Sequence, residues 1–220
     1  MSRHLRADLD RIEKQLLQLA AHVEDAVRNS VAAVLRRDAE LAQQVKHGDA
    51  EIDDMEVELE EDCLKVLALH QPVATDLRFV TVCLKVNSDL ERIGDLASNI
   101  AARGLQLMQR AAVPVPPQLE SMMNAAMNML RESIDALVRG DATRARHVCA
   151  LDSEVDEQNR QTISQLMERI RESPETSESS VQLFSVSKNI ERVADHATNI
   201  AEDVVYMVEG AIIRHGRDSA

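Results

Sequence analysis

A thirteen-residue stretch occurs twice in this chain, one hundred positions apart. Residues 89–101 read DLERIGDLASNIA and residues 189–201 read NIERVADHATNIA. Seven positions are identical: Glu91/Glu191, Arg92/Arg192, Asp95/Asp195, Ala97/Ala197, Asn99/Asn199, Ile100/Ile200 and Ala101/Ala201. Self-similarity at a fixed period is a signature of duplicated architecture. The repeat also keeps polar residues, which a purely structural duplication has little need to retain. Upstream, residues 31–55 lie on 134–158 at an offset of 103 without a gap. Asp49-Ala-Glu-Ile-Asp53 thus matches Asp152-Ser-Glu-Val-Asp156. The offset falls to 100 across a loop containing Pro72 in one copy and Pro174 in the other. Each half is about 110 residues long, the size of a small domain.

The apolar residues recur at spacings of three and four. Leu9, Ile12, Leu16, Leu19, Val23, Val27, Val31 and Val34 form one stripe. Leu41, Val45, Ile52, Met55, Leu59 and Val66 form a second, and Phe79, Val82, Val86, Leu90, Ile93, Ala97 and Ile100 a third. This is the pattern of amphipathic helices facing a shared core, and nothing reads as a strand. Asp38 and Asp141 stand as N-caps, and Pro72 and Pro174 interrupt helical patterns. Six helices are expected, near 4–36, 39–69, 75–111, 118–138, 142–171 and 178–209. Helices of about thirty residues are about 45 Å long, and short loops make neighbours antiparallel. The expected fold is all-α, with two tandem antiparallel three-helix bundles related by a pseudo-two-fold axis. The halves are 1–112 and 118–220, joined by a Pro-rich linker at 113–117.

No run of eighteen apolar residues is present, so no transmembrane helix is expected. The segment MSRHLRADLDRIEKQ is too polar for a signal peptide. Cys63, Cys83 and Cys149 lack metal-ligand spacing and fall in helical patterns. They read as reduced thiols of a cytoplasmic protein. The nine Met residues fall mostly at helical spacing and read as core fill. A net charge of −13 argues against nucleic acid as the partner and favours cations or basic protein surfaces.

In a helix, Glu91, Asp95 and Asn99 advance by about 40° per step of four residues. They form a stripe opposite the apolar one, and Glu191, Asp195 and Asn199 repeat it. On the preceding helix, Asp49, Asp53, Glu56 and Glu60 share a stripe whose counterpart is Asp152, Asp156 and Asn159. Four segments therefore fit [Glu/Asp]-x-x-x-Asp, one on the second and one on the third helix of each half. Their carboxylates could converge over the groove between those helices. Like charges at i,i+4 destabilise a helix by roughly 0.2–0.5 kcal/mol per pair, and a bound multivalent cation would offset that. Carboxylates with an amide oxygen are hard donors suited to iron, manganese, magnesium or calcium, with zinc also admissible. The competing reading is a solvated acidic face. Arg92 and Arg192 would pair with acids of an adjacent helix or bind an anion. Gly94 and Ala194 would permit close helix approach. His196 has Leu96 as its counterpart, so it is no part of a repeated site; it is either an outer ligand or ordinary surface.

The motifs LERIGDLASNI and IERVADHATNIAE, with QPVATDLRFV leading into the third helix, resemble the PhoU family of bacterial phosphate-uptake regulators. The resemblance covers essentially the whole chain. Departures are Leu96, where His is common, and Ala194, where Gly is common. The resemblance implies a cytoplasmic, non-enzymatic regulator, expected to be a homodimer. Such a protein would couple a phosphate ABC transporter, through its ATPase subunit, to a sensor histidine kinase and hold the starvation response down. It implies multinuclear iron or zinc on the acidic faces. The ligands carried over are Asp49, Asp53, Glu91, Asp95, Asp152, Asp156, Glu191 and Asp195, with Asn99 and Asn199 as additional donors. Two rivals stand beside this reading. A carboxylate-bridged di-metal enzyme needs inward-facing Glu-x-x-His pairs, and the chain has none. A metal-free helical adaptor remains. No phosphate-binding loop, nucleophile elbow or kinase signature is present.

Overall fold

The computed structural model describes residues 3–213. Six α-helices follow one another: α1 Arg3–Arg36, α2 Ala39–His70, α3 Ala74–Met108, α4 Gln118–Arg139, α5 Ala142–Glu172 and α6 Ser177–Glu209. A 3-10 turn at Pro174–Thr176 leads into α6. No strand occurs among the described residues, and no helix is long and apolar enough to cross a membrane. The all-α, two-repeat bundle expected from the periodicity is the fold observed.

The caps fall where the sequence places them. Asp38 Oδ1 accepts from the Leu41 N–H at 3.0 Å, and Asp141 Oδ1 accepts from the Arg144 N–H at 3.0 Å. The α4–α5 connection is Gly140, with φ +61°. Its counterpart is Arg37, held at φ +54°. A non-glycine residue is uncommon in this left-handed region. Arg37 Nη2 donates to the carbonyls of Leu107, Met108 and Arg110 at 3.0, 3.2 and 3.0 Å. That guanidinium satisfies the exposed carbonyl end of α3, which stops at Met108 rather than continuing to 111.

Helices α1, α2 and α3 pack on one another, as do α4, α5 and α6; α3 also packs against α6, and α1 against α4. Burial identifies the central pair. Helix α3 buries fourteen residues and α6 sixteen, against six each for α2 and α5. The outer helices show one apolar face, whereas α3 and α6 are covered on several sides. The α3–α6 crossing is antiparallel. Arg78 Nε donates to the Met207 carbonyl at 3.0 Å, and Lys85 Nζ meets Asp203 Oδ1 at 3.0 Å. At the opposite end Arg110 pairs with Glu178. Because both central helices are shared, the buried side chains of the two halves form one continuous core. Segment 113–117 is docked on it: Val113 and Val115 pack against the core, Pro116 is buried, and Arg169 donates to the Pro114 carbonyl.

Candidate functional site: two acidic faces

The first face lies where α2 crosses α3. Gly94 permits the approach: a Cβ there would stand 3.0 Å from Ile52 Cγ2. Ile52 is buried, and Asp49 and Asp53 flank it on the α2 surface. Glu91 and Asp95 flank Gly94 on α3. Burial raises the Asp49 carboxyl, as do the charges of Asp53 and Asp95, while a hydrogen bond from Ser98 opposes the rise. Burial also raises Glu91, reinforced by Asp95, Asp53 and Glu56 and opposed by Arg92. The four acids therefore share one local field. Glu56 is raised by burial and by the neighbouring Glu60 and Asp53 charges. Its Oε1 accepts from Asn87 Nδ2 at 3.2 Å.

The second face repeats the arrangement on α5 and α6. Asp152 is raised by burial, then by Asp156 and Glu191, with a hydrogen bond from Thr198 opposing. Thr198 Oγ1 lies 3.3 Å from Asp152 Oδ1. Asp195 is pushed up to about 6, first by desolvation, then by Glu191 and Asp152; Lys188 opposes and Asp156 adds to the rise. Glu191 is only 9 % exposed. Its Oε1 receives Lys188 Nζ at 2.5 Å, while Oε2 is buried without a hydrogen-bond partner. A carboxylate oxygen in that state is costly, and a cation would satisfy it.

Several side chains lie elsewhere than helical projection suggests. Glu191 is buried beneath α5 rather than facing outward, because neighbouring helices close over its side of α6. Arg92 pairs with acids of its own helix, Nε to Glu91 and Nη1 to Asp95, both at 3.5 Å, rather than with α2. Asn159 does not extend the outer stripe. It is buried and accepts from Ser187 Oγ at 2.7 Å, the counterpart of the Asn87–Glu56 contact. Asn99 is exposed and Asn199 half-buried, each one turn beyond its aspartate. His196 is neither ligand nor open surface: its Nδ1 meets Asp89 Oδ1 at 2.8 Å between α3 and α6. Ser98 and Thr198 belong to neither acidic stripe, although the repeat keeps a hydroxyl at that position. Lys188 had no repeat signal, since Ser88 is its counterpart.

The chemistry of these donors fits a hard cation: clustered carboxylates, protonation favoured by mutual repulsion, and a buried unpartnered Glu191 oxygen. Their present rotamers are not those of a closed coordination shell. No group of three or more His, Cys, Asp or Glu side chains among the described residues converges in ion-holding geometry. Capture of an ion would require rotation of these side chains, including release of Glu191 from Lys188 and of Asp152 from Thr198.

The chain matches the PhoU domain family twice, over residues 16–104 and 119–204. It is 35% identical over 216 residues to a phosphate-specific transport system accessory protein PhoU homolog of Pseudomonas aeruginosa, covering 98% of this chain and 89% of that one. It is 36% identical over 211 residues to the Deinococcus radiodurans homolog, covering 96% and 99%. The crystal structure of PhoU from Pseudomonas aeruginosa superposes with a TM-score of 0.90 at 35% identity, over 94% of this chain and 99% of that one. That of the phosphate transport system regulatory protein PhoU from Streptococcus pneumoniae gives 0.89 at 27%, over 94% and 98%. With the family pattern matched in both halves and the fold shared end to end, the chain belongs to the PhoU family.

Proposed function

We propose that this protein is a cytoplasmic negative regulator of phosphate uptake that works by binding, not by catalysis. The observation that carries the reading is the chain-wide match to proteins named phosphate-specific transport system accessory protein. In this reading it pairs as a homodimer and links the ATPase subunit of a phosphate ABC transporter to a sensor histidine kinase. The acidic faces meet basic partner surfaces, so binding weakens as salt is added. A deletion strain grown in ample phosphate tests it. Alkaline phosphatase and transporter expression should rise, and charge reversal at Asp53 and Asp195, exposed acids of the Glu91 and Glu191 faces, should mimic the deletion with the fold intact. Unchanged repression in the deletion strain, with no paralogue present, would overturn the assignment.

We infer further that the two faces hold iron or zinc, with manganese or magnesium as alternatives. Asp49, Asp53, Glu91 and Asp95 would hold it on one face, and Asp152, Asp156, Glu191 and Asp195 on the other, with Asn99 and Asn199 as outer donors. The bound ion would supply positive charge that relieves the carboxylate repulsion and could bridge to an anionic group of a partner. Metal analysis of protein purified without chelators tests this, with Asp95→Asn plus Asp195→Asn as the comparison. Wild-type protein without metal would favour a metal-free helical adaptor, and equal metal in both samples would show that these carboxylates are not its ligands.

A further inference from the structure

The pseudo-symmetry makes each half a control for the other. Continuing the offset of 103 through α1 and α4, Ala26 corresponds to Met129, Gly48 to Leu151, and Leu41 to Arg144. In the second half the groove between α4 and α5 is filled from within. Met129 is fully buried, Leu151 packs against the core, and Arg144 Nη1 reaches Glu132 of α4 at 2.9 Å. The first half carries less side-chain volume at two of these positions and no guanidinium at the third. A Cβ on Gly48 would meet nothing within 4 Å. Glycine is disfavoured in a helix interior, and here it leaves open space above it.

The result is a cleft of about 240 Å³ between α1 and α2. Ala26, Val45 and Ile52 give it apolar walls, and His22, Asp25 and Glu51 stand at its rim. Neither Lys nor Arg is among its lining residues. At the rim His22 Nε2 is 3.6 Å from Glu51 Oε1, and Asp25 Oδ1 is 2.9 Å from Arg28 Nη1. Both carboxylates are largely exposed and open to a second cation.

We propose that this cleft receives an arginine or lysine side chain from a partner protein. The aliphatic stem lies on Ala26, Val45 and Ile52, and the charged head sits between Asp25 and Glu51. Long basic side chains bury their stems and keep their heads in water in this manner. The cleft is smaller than the roughly 300–1,000 Å³ of sites for free small molecules. In the second half Arg144 rests on Glu132 and Asp135, whose counterparts here are Asn29 and Ala32, so the carboxylates that call for a basic guest in this cleft are Asp25 and Glu51 themselves. The proposal rests on the partner-binding reading above and locates a contact for it beside the first acidic face, since Ile52 forms both the cleft wall and the packing surface of Gly94.

The test is amide chemical-shift titration of the full-length protein with acetyl-Leu-Arg-Leu-amide and with its norleucine analogue. Saturable shifts at Ala26, Gly48 and Ile52 are expected, at least tenfold weaker with norleucine. Gly48→Leu, which restores the second half's side chain, should weaken arginine-peptide binding at least tenfold. If Gly48→Leu fails to fold, Asp25→Asn with Glu51→Gln should give the same loss. Absent or non-saturating shifts, or equal binding by these variants, would overturn the proposal. Binding of agmatine as tight as that of the peptide would overturn the assignment to a protein side chain in favour of a free cation. Intact repression of the phosphate response by a Gly48→Leu variant that no longer binds the peptide would locate the failure in this cleft and not in the regulatory reading.

Discussion

Asp89 Oδ1 and His196 Nδ1 meet at 2.8 Å across the α3–α6 seam, with side chains only 16 % and 17 % exposed. Both stand at positions where the repeat departs from itself, for their counterparts are Asn189 and Leu96. The two departures are therefore one structural event: a polar pair ties the halves on one side of the pseudo-two-fold axis. The other side carries Leu96, which is buried.

His196→Leu alone should leave Asp89 poorly satisfied and cost about 1–3 kcal/mol. Asp89→Asn alone should cost less, since an amide can still meet the imidazole. The double variant, which installs the Asn/Leu combination of the other side, should be more stable than the sum of the singles predicts. A double-mutant cycle by urea unfolding measures the coupling. Simple additivity would show that the pair does not act as a unit.

The α2–α3 and α5–α6 crossings use complementary volumes. Gly94 faces Ile52, and the corresponding positions in the second half are Ala194 and Val155. Gly94→Ala should therefore crowd Ile52, with a cost of about 1–3 kcal/mol from overpacking only partly offset by the better helix propensity of alanine. Adding Ile52→Val should restore most of the loss. Thermal melts of the two singles and the double decide it, and a stabilised Gly94→Ala single would show that Ile52 yields freely.

Arg37 combines a left-handed backbone with a cap on α3. Arg37→Ala keeps the backbone strain and removes the donors, so a loss of about 1–3 kcal/mol is expected. Arg37→Gly loses the same donors but relieves the strain, as Gly140 does in the second half. It should be milder by about 0.5–1 kcal/mol. Amide exchange at the C-terminal turn of α3 should accelerate in both variants, and equal stability of the two would argue against strain at this position.

The Asp195 carboxyl, pushed up to about 6 from an ordinary value of 3.8, sets a pH window. The native state holds this proton more tightly than the unfolded chain. Its stabilising contribution is complete below about 3.8 and is lost as pH rises through about 6. Chelator-treated protein should lose part of its stability between pH 4 and pH 7 from this group. Asp195→Asn should flatten that part of the profile and raise the melting temperature at pH 7.5. Solvent screening at this exposed group keeps the gain below about 1 kcal/mol. Added zinc or iron should stabilise the wild type more at pH 7.5 than at pH 5, because protons and metal compete for the same oxygens. A wild-type profile identical to that of Asp195→Asn would remove the acidic face as its cause.

The sequence by itself determined the helices, their caps and the duplication. Periodicity at three and four residues reports which face of a helix is apolar, and Asp38 and Asp141 act on backbone groups within one turn of themselves. The four acidic pairs were legible for the same reason, since i,i+4 spacing is a property of one helix. Tertiary structure decided what covers each face. Helical projection put the Glu91 and Glu191 stripes outward, yet Glu191 is buried. Asn159, read as part of the outer stripe, turns to Ser187, and His196 finds Asp89 more than one hundred residues away. The Gly48 cleft exists only because Ala26 on a different helix is also small. A helix's periodicity fixes the direction of its side chains around its own axis. It does not contain the rotation, crossing and number of the helices packed against it, and these decide which polar groups are buried, paired or left open to a partner.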